Sequence, residues 1–260
     1  MAEKGTCGME RTAADVLTQP ESGAAELFFP RRCAFCGRYD RRLLCESCAE
    51  KAKALAWKPG KDPRFGSVWL PTVVGLWKYT GVPREALLRA KYQGKSYPLY
   101  AMAEGLLAEA DARQLPRPEL IVSVPEHHRT VSPHSGAVPA ALADLLGIRC
   151  HAPVSSRLLS RAVESVPQHL RGKQRRAGGE AGVYAVRDAA PLQGKTVWLV
   201  DDVMTTGATM NACARVLWLY GAAQVIGLCP CISPQGAPPS GAASPEFSEQ
   251  KEGSQENGTA

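Results

Sequence analysis

Four cysteines fall in two tight pairs, Cys33-Ala34-Phe35-Cys36 and Cys45-Glu46-Ser47-Cys48, with eight residues between the pairs. Each CxxC turn points two thiolates the same way, and so short a separation lets both turns converge on one ion. Four thiolates at tetrahedral distance suit Zn²⁺, with no open position for catalysis. Free thiols or two disulfides are the other chemistry open to such pairs, which the short spacing disfavours. A second constellation is Val197-Trp198-Leu199-Val200-Asp201-Asp202-Val203-Met204-Thr205-Thr206-Gly207-Ala208-Thr209. Here an apolar run delivers two adjacent carboxylates and then a hydroxyl-rich turn. Backbone N–H groups at the start of a following helix, with the Thr205, Thr206 and Thr209 hydroxyls, make a cradle for a phosphate. Gly207 lets the backbone approach closely. Carboxylates accept hydrogen bonds from vicinal sugar hydroxyls, so the run fits a ribose 5-phosphate, whereas a plain helix-capping turn explains the Asp or Thr residues only singly.

The elements that must hold these groups follow from the pattern around them. Residues 197–200 read as a buried strand, 208–220 as a helix closed by Gly221, and 225–229 as the next strand of a βαβ unit, which places the carboxylates where open α/β sheets bind ligands. Upstream, 73–79 reads as a strand, 83–92 as a helix with Pro83 near its start, and 99–112 as a second helix. A β run over 120–124 ends at Pro125, a helix over 140–146 stops at Gly147, and 183–186 is a further strand. The alternation predicts an α/β domain. Segments 1–29 and 233–260 are small, polar and aperiodic and are expected to be disordered. The expected organisation is a cysteine unit over 30–56, a linker over 57–64 and the α/β domain over 65–232.

A unit of about 27 residues buries too little apolar surface to fold alone, so a bound metal would supply most of its folding free energy. Loss of the metal would then loosen 30–56 and leave the larger domain folded. Arg31, Arg32, Arg38, Arg41 and Arg42 surround the cysteines, readable as a solvated rim or as nucleic-acid contacts. The formal charge of +6 favours anionic ligands without naming one. Nine cysteines is an odd number, which with the paired spacing fits metal binding in a reducing compartment. No apolar run approaches the roughly 18 residues of a membrane span, and the charged first thirty residues do not read as a secretory signal. The expected location is the cytoplasm.

The run from Val197 to Thr209 resembles the phosphoribosyl pyrophosphate (PRPP) signature of type I phosphoribosyltransferases. With the four-cysteine unit upstream, the chain resembles the ComF family of competence-associated proteins, which pair a small zinc ribbon with a phosphoribosyltransferase domain. Trp77-Lys78-Tyr79-Thr80-Gly81 and the later Ala90-Lys91-Tyr92 are similar to that family's opening segment. The resemblance implies a mostly parallel sheet flanked by helices behind an N-terminal zinc ribbon. It implies that Asp201 and Asp202 hold the ribose hydroxyls, that Thr205, Thr206, Gly207, Ala208 and Thr209 form the 5-phosphate loop, and that Cys33, Cys36, Cys45 and Cys48 bind zinc.

Two departures bear on activity. Where the family carries Arg-Gly-Phe-Asn-Gln on the pyrophosphate side, this chain has His134-Ser135-Gly136-Ala137-Val138, and a neutral imidazole does not replace a bidentate guanidinium. His127, His128 and Arg129 nearby could restore some anion binding or be ordinary loop residues. The family's flexible segment is partly kept as Arg161, Gln168 and Arg175 or Arg176, with Gly178 or Gly179 in place of Asn. The implied function is binding of PRPP or a nucleoside monophosphate, with Mg²⁺ accompanying PRPP and transfer of phosphoribosyl to a nitrogen acceptor. The alternative is a non-enzymatic nucleotide-binding accessory factor in DNA uptake, with single-stranded DNA or competence machinery as partner.

Overall fold

The structure, a computed structural model, describes residues 32–58, 66–125, 137–161 and 184–234. Among them lie helices α1 (Glu46–Ala54), α2 (Gly81–Gln93), α3 (Tyr97–Ala112), α4 (Val138–Cys150) and α5 (Ala208–Leu219). The strands are β1 (Thr72–Lys78), β2 (Leu120–Ser123), β3 (Val154–Ser155), β4 (Leu159–Arg161), β5 (Tyr184–Val186), β6 (Thr196–Val200), β7 (Val203–Met204) and β8 (Gln224–Ile232). A parallel sheet runs in the order β3-β2-β6-β8-β1, with β7 adding to the end of β8. β4 and β5 form a separate antiparallel pair.

The central strands are apolar on both faces because both faces are covered. Alternate residues go to opposite sides. Trp198 and Val200 of β6, with Val74 and Leu76 of β1, pack into a core shared with α2, α3 and α4. Val197, Leu199 and Val73 enter the opposite core with α5 and the β4–β5 pair. This period of two fixes the register, Val122 opposite Leu199 and Leu199 opposite Gly227. The five tryptophans serve packing, and two satisfy their indole N–H on backbone: Trp198 donates to the Pro116 carbonyl at 3.1 Å and Trp218 to that of Trp69 at 2.8 Å.

β2 and β6 lie side by side, yet the chain leaves them in opposite directions. From β2 it passes through α4 to β3 at the sheet edge; from β6 it passes through α5 to β8 on the other side. The carboxyl ends of β2 and β6 therefore flank a topological switch point, the position at which open α/β sheets leave a ligand crevice.

Two features differ from the sequence expectation. The helix expected to stop at Gly147 continues to Cys150, and His151, at φ 53°, makes the left-handed terminus instead. Gly147 serves close packing: a Cβ there would sit 2.2 Å from Val154 Cγ2 on β3. The cysteine unit, moreover, does not keep a core of its own. Cys33, Phe35, Leu44 and Ala52 belong to the same buried cluster as Trp77, Leu87 and Met102. Trp57, at the start of the stretch expected to link the two units, donates its backbone N–H to Leu76 at 2.8 Å, next to an antiparallel bridge between Ala56 and Trp77. No helix among the described residues is long and apolar enough to cross a membrane.

Candidate functional site

The four sulfurs of Cys33, Cys36, Cys45 and Cys48 lie within 4.8 Å of one another, with Cys36 Sγ 3.7 Å from Cys45 Sγ. Zn–S bonds of about 2.3 Å put tetrahedral sulfurs roughly 3.8 Å apart, so the donor set fits zinc in size and chemistry. Local backbone makes the cluster. Gly37 takes φ 76° after the first knuckle, and Cys48 rides on α1, whose N-cap is Cys45. Cys45 donates its N–H to Cys33 Sγ at 3.3 Å, and Arg38 approaches Cys36 Sγ at 3.5 Å and Cys45 Sγ at 4.0 Å. These contacts are the kind that stabilise thiolate. Burial opposes them at Cys36, yet the Arg38 guanidinium and neighbouring donors bring that thiol down to about 6. Burial pushes the Cys33 and Cys48 thiols up.

Arg31 lies outside the described residues, and two of the other arginines around the cluster are engaged locally. Arg32 stacks on Tyr39 at 4.1 Å from the ring centre, and Arg42 pairs with Asp40 at 3.0 Å.

At the switch point, the last β6 residue, Val200, accepts the Val124 N–H at 2.9 Å, which keeps the ends of β2 and β6 in register up to the crevice. Asp201 then donates its N–H to Leu228 at 3.0 Å, and its Oδ1 accepts the Asp202 N–H at 2.8 Å. The two carboxylates are thus fixed by backbone that continues the sheet. Burial, and next the charge of Asp202, raise the Asp201 carboxyl well above the usual carboxylate range. Asp202 is almost fully buried, and its Oδ2 meets Lys91 Nζ of α2 at 2.6 Å.

β7 carries the chain to Thr205 and Thr206, and Gly207, at φ 78°, turns it into α5. Thr206 Oγ1 accepts the Ala208 N–H at 3.3 Å, Thr206 and Thr209 are exposed, and Thr209 shares a side-chain hydrogen bond with Tyr184 of β5. Asn211 fastens the turn by donating to the Gly207 carbonyl at 2.9 Å and by bonding Ser67. The first amides of a helix have no intrahelical acceptors; at α5 the first of them, that of Ala208, meets the Thr206 hydroxyl in the turn.

The structure therefore brings Asp201, Asp202, Thr205, Thr206, Gly207, Ala208 and Thr209 together at one strand end. Arg161, expected in the flexible segment, closes β4 with its guanidinium 5.7 Å from the Tyr184 ring centre, and its charge also bears on Tyr184 and Cys213. Gln168, Arg175 and Arg176, with His127, His128, Arg129 and His134, fall outside the described residues. In the sequence Lys91 is only part of a segment similar to the family's opening one, and nothing in its local pattern announces a contact 111 positions away.

Comparison with known proteins gives the following relatives. Residues 135–251 match the phosphoribosyl transferase domain. The chain is 30% identical over 209 residues to the DNA utilization protein YhgH of Salmonella typhi, covering 76% of this chain and 89% of that protein. It is 27% identical over 205 residues, with the same coverage, to YhgH of Escherichia coli strain K12. The crystal structure of TT1426 from Thermus thermophilus aligns with 54% of this chain and 85% of its own, at a TM-score of 0.32 and 19% identity. With a parallel sheet that ends in the Asp-Asp and threonine turn, and a four-cysteine cluster packed against it, the chain belongs to the ComF-like family of phosphoribosyltransferase-domain proteins that includes the DNA utilization protein YhgH.

Proposed function

We propose that the protein binds a 5-phosphorylated ribose, as PRPP or a nucleoside monophosphate, at the carboxyl end of β6, working in the cytoplasm with structural zinc in its cysteine cluster. The observation that carries this reading is the placement of Asp201 and Asp202 at the switch point, separated only by the two residues of β7 from the Thr205–Gly207 turn into α5. In it, the carboxylates accept the ribose hydroxyls, and the threonine hydroxyls and first α5 amides hold the 5-phosphate. Asp202 and Lys91, tied to each other, keep the acceptor oxygens from swinging.

As a transferase, the site would take PRPP together with Mg²⁺, which would supply positive charge for the pyrophosphate leaving group. The bond between C1 and the pyrophosphate oxygen breaks with its electron pair leaving on pyrophosphate, and a nitrogen acceptor forms the new C1–N bond and loses its proton. Positioning and charge neutralisation carry such a reaction. The name of the YhgH relatives supports a second reading, a nucleotide- or PRPP-binding accessory factor in DNA uptake without transfer.

Titration calorimetry with ribose 5-phosphate, a nucleoside monophosphate and PRPP, with and without Mg²⁺, tests both. Ionised contacts to a pyrophosphate are worth about 1.5–3 kcal/mol each, so with Arg absent from the 134–138 stretch PRPP forfeits roughly tenfold or more in affinity. The three ligands should then bind with similar strength, and Thr206→Phe should abolish all of them. PRPP binding tighter by orders of magnitude would return the lead to transfer, and absence of all binding would refute the site.

A further inference from the structure

α2 stands between the cysteine cluster and the Asp pair and touches both. Helix positions two apart lie about 200° from each other around the axis, so Arg89 and Lys91 leave α2 on opposite sides. Arg89 donates through Nη1 to the Phe35 carbonyl inside the first cysteine knuckle. Lys91 reaches the other way, and its Nζ lies 2.6 Å from Asp202 Oδ2. Tyr79, at the end of β1, lies in the same field. Burial chiefly shapes its phenol, with Arg84, Lys91 and Asp202 all near enough to act on it.

We infer that Lys91 is a ligand-binding residue of the phosphoribosyl site, held at Asp202 by a helix that the cysteine module braces from its far side. The inference rests on the reading of that site given above. Its physical basis is charge balance. An acidic pair that carries even one negative charge at the mouth of a site repels a phosphorylated sugar unless a cation accompanies it. The ammonium of Lys91 supplies it from within the fold, and the 2.6 Å contact holds Asp202 in place as a hydroxyl acceptor. The Lys91 side chain remains about one-third exposed while that of Asp202 is nearly buried, so Lys91 is the member of the pair that an arriving anion meets.

The test has two arms. In the first, ribose 5-phosphate is titrated into the zinc-loaded full chain. Lys91→Met is expected to weaken binding at least about tenfold, and Lys91→Arg, which keeps the charge, to stay within about threefold. The second arm needs no variant. Lys91 acetylation by a small reagent is followed by peptide mass spectrometry, with exposed Lys95 as the internal control. Saturating ribose 5-phosphate should slow labelling of Lys91 several-fold and leave Lys95 unchanged. Equal affinity of Lys91→Met and the unaltered chain, or equal Lys91 labelling with and without bound ligand, overturns the inference while leaving the phosphoribosyl site standing. An unaltered chain that binds no ribose 5-phosphate overturns both.

Discussion

The ring of Phe35, between the first two cysteines, packs edge-on against Trp77 of β1 with centroids 5.2 Å apart and planes at 76°. This contact makes the cysteine module part of the sheet's own core. Metal removal should therefore be felt by the whole chain. Chelation of zinc is expected to lower the single thermal unfolding transition, and Phe35→Ala to cost about 3–5 kcal/mol, as truncation of a buried aromatic does. A separate low-temperature transition confined to 32–58, with the main transition unmoved, would show that the two parts are energetically independent.

Gly207 holds φ at 78° where the Thr turn becomes α5. A β-branched side chain in that left-handed conformation costs about 1–2 kcal/mol or more, and its methyls would stand beside the proposed phosphate position. Gly207→Val is expected to reduce ribose 5-phosphate affinity by at least an order of magnitude while the chain still folds. Undiminished affinity in a folded variant would remove the turn from the binding site.

Much of this was legible in the sequence, for identifiable reasons. The two CxxC pairs announce a four-cysteine cluster because their geometry is local. The β6-to-α5 run announces a strand, two carboxylates and a helix start because all thirteen residues are contiguous. What stayed illegible depends on distant partners. Lys91 meets Asp202 only because β1 and α2 are laid across the sheet from β6. Phe35 reads as a knuckle residue until Trp77 is placed beside it. Gly147 carries the ordinary mark of a helix stop, and only the approach of Val154 shows why glycine is needed inside α4.

That last contact gives a stability prediction. A methyl at position 147 would collide with Val154 Cγ2 and lie 3.1 Å from the Ala152 carbonyl oxygen. Gly147→Ala should thus destabilise by about 1–3 kcal/mol, despite the better helix propensity of alanine, because overpacking outweighs it. Pairing it with Val154→Ala should recover part of the loss. Urea unfolding of the single and double variants decides the matter; a more stable Gly147→Ala would mean that α4 shifts freely over β3.

The pH dependence of stability follows from Asp201. Burial and the charge of Asp202 raise its carboxyl well above the ordinary carboxylate value of 3.8, so the folded chain holds this proton more tightly than the unfolded chain does. Where the native state binds more protons, stability falls as pH rises. The contribution of Asp201 is therefore greatest below the unfolded carboxylate range and is lost as pH climbs from there through the raised folded value. Asp201→Asn keeps the shape, including an oxygen that can accept the Asp202 N–H, and removes the ionisation. The variant is expected to gain melting temperature relative to the unaltered chain as pH rises across this window, with the smallest difference at the acid end. A difference that stays constant with pH, or that shrinks as pH rises, would show that Asp201 ionises in the folded chain no less easily than in the unfolded one.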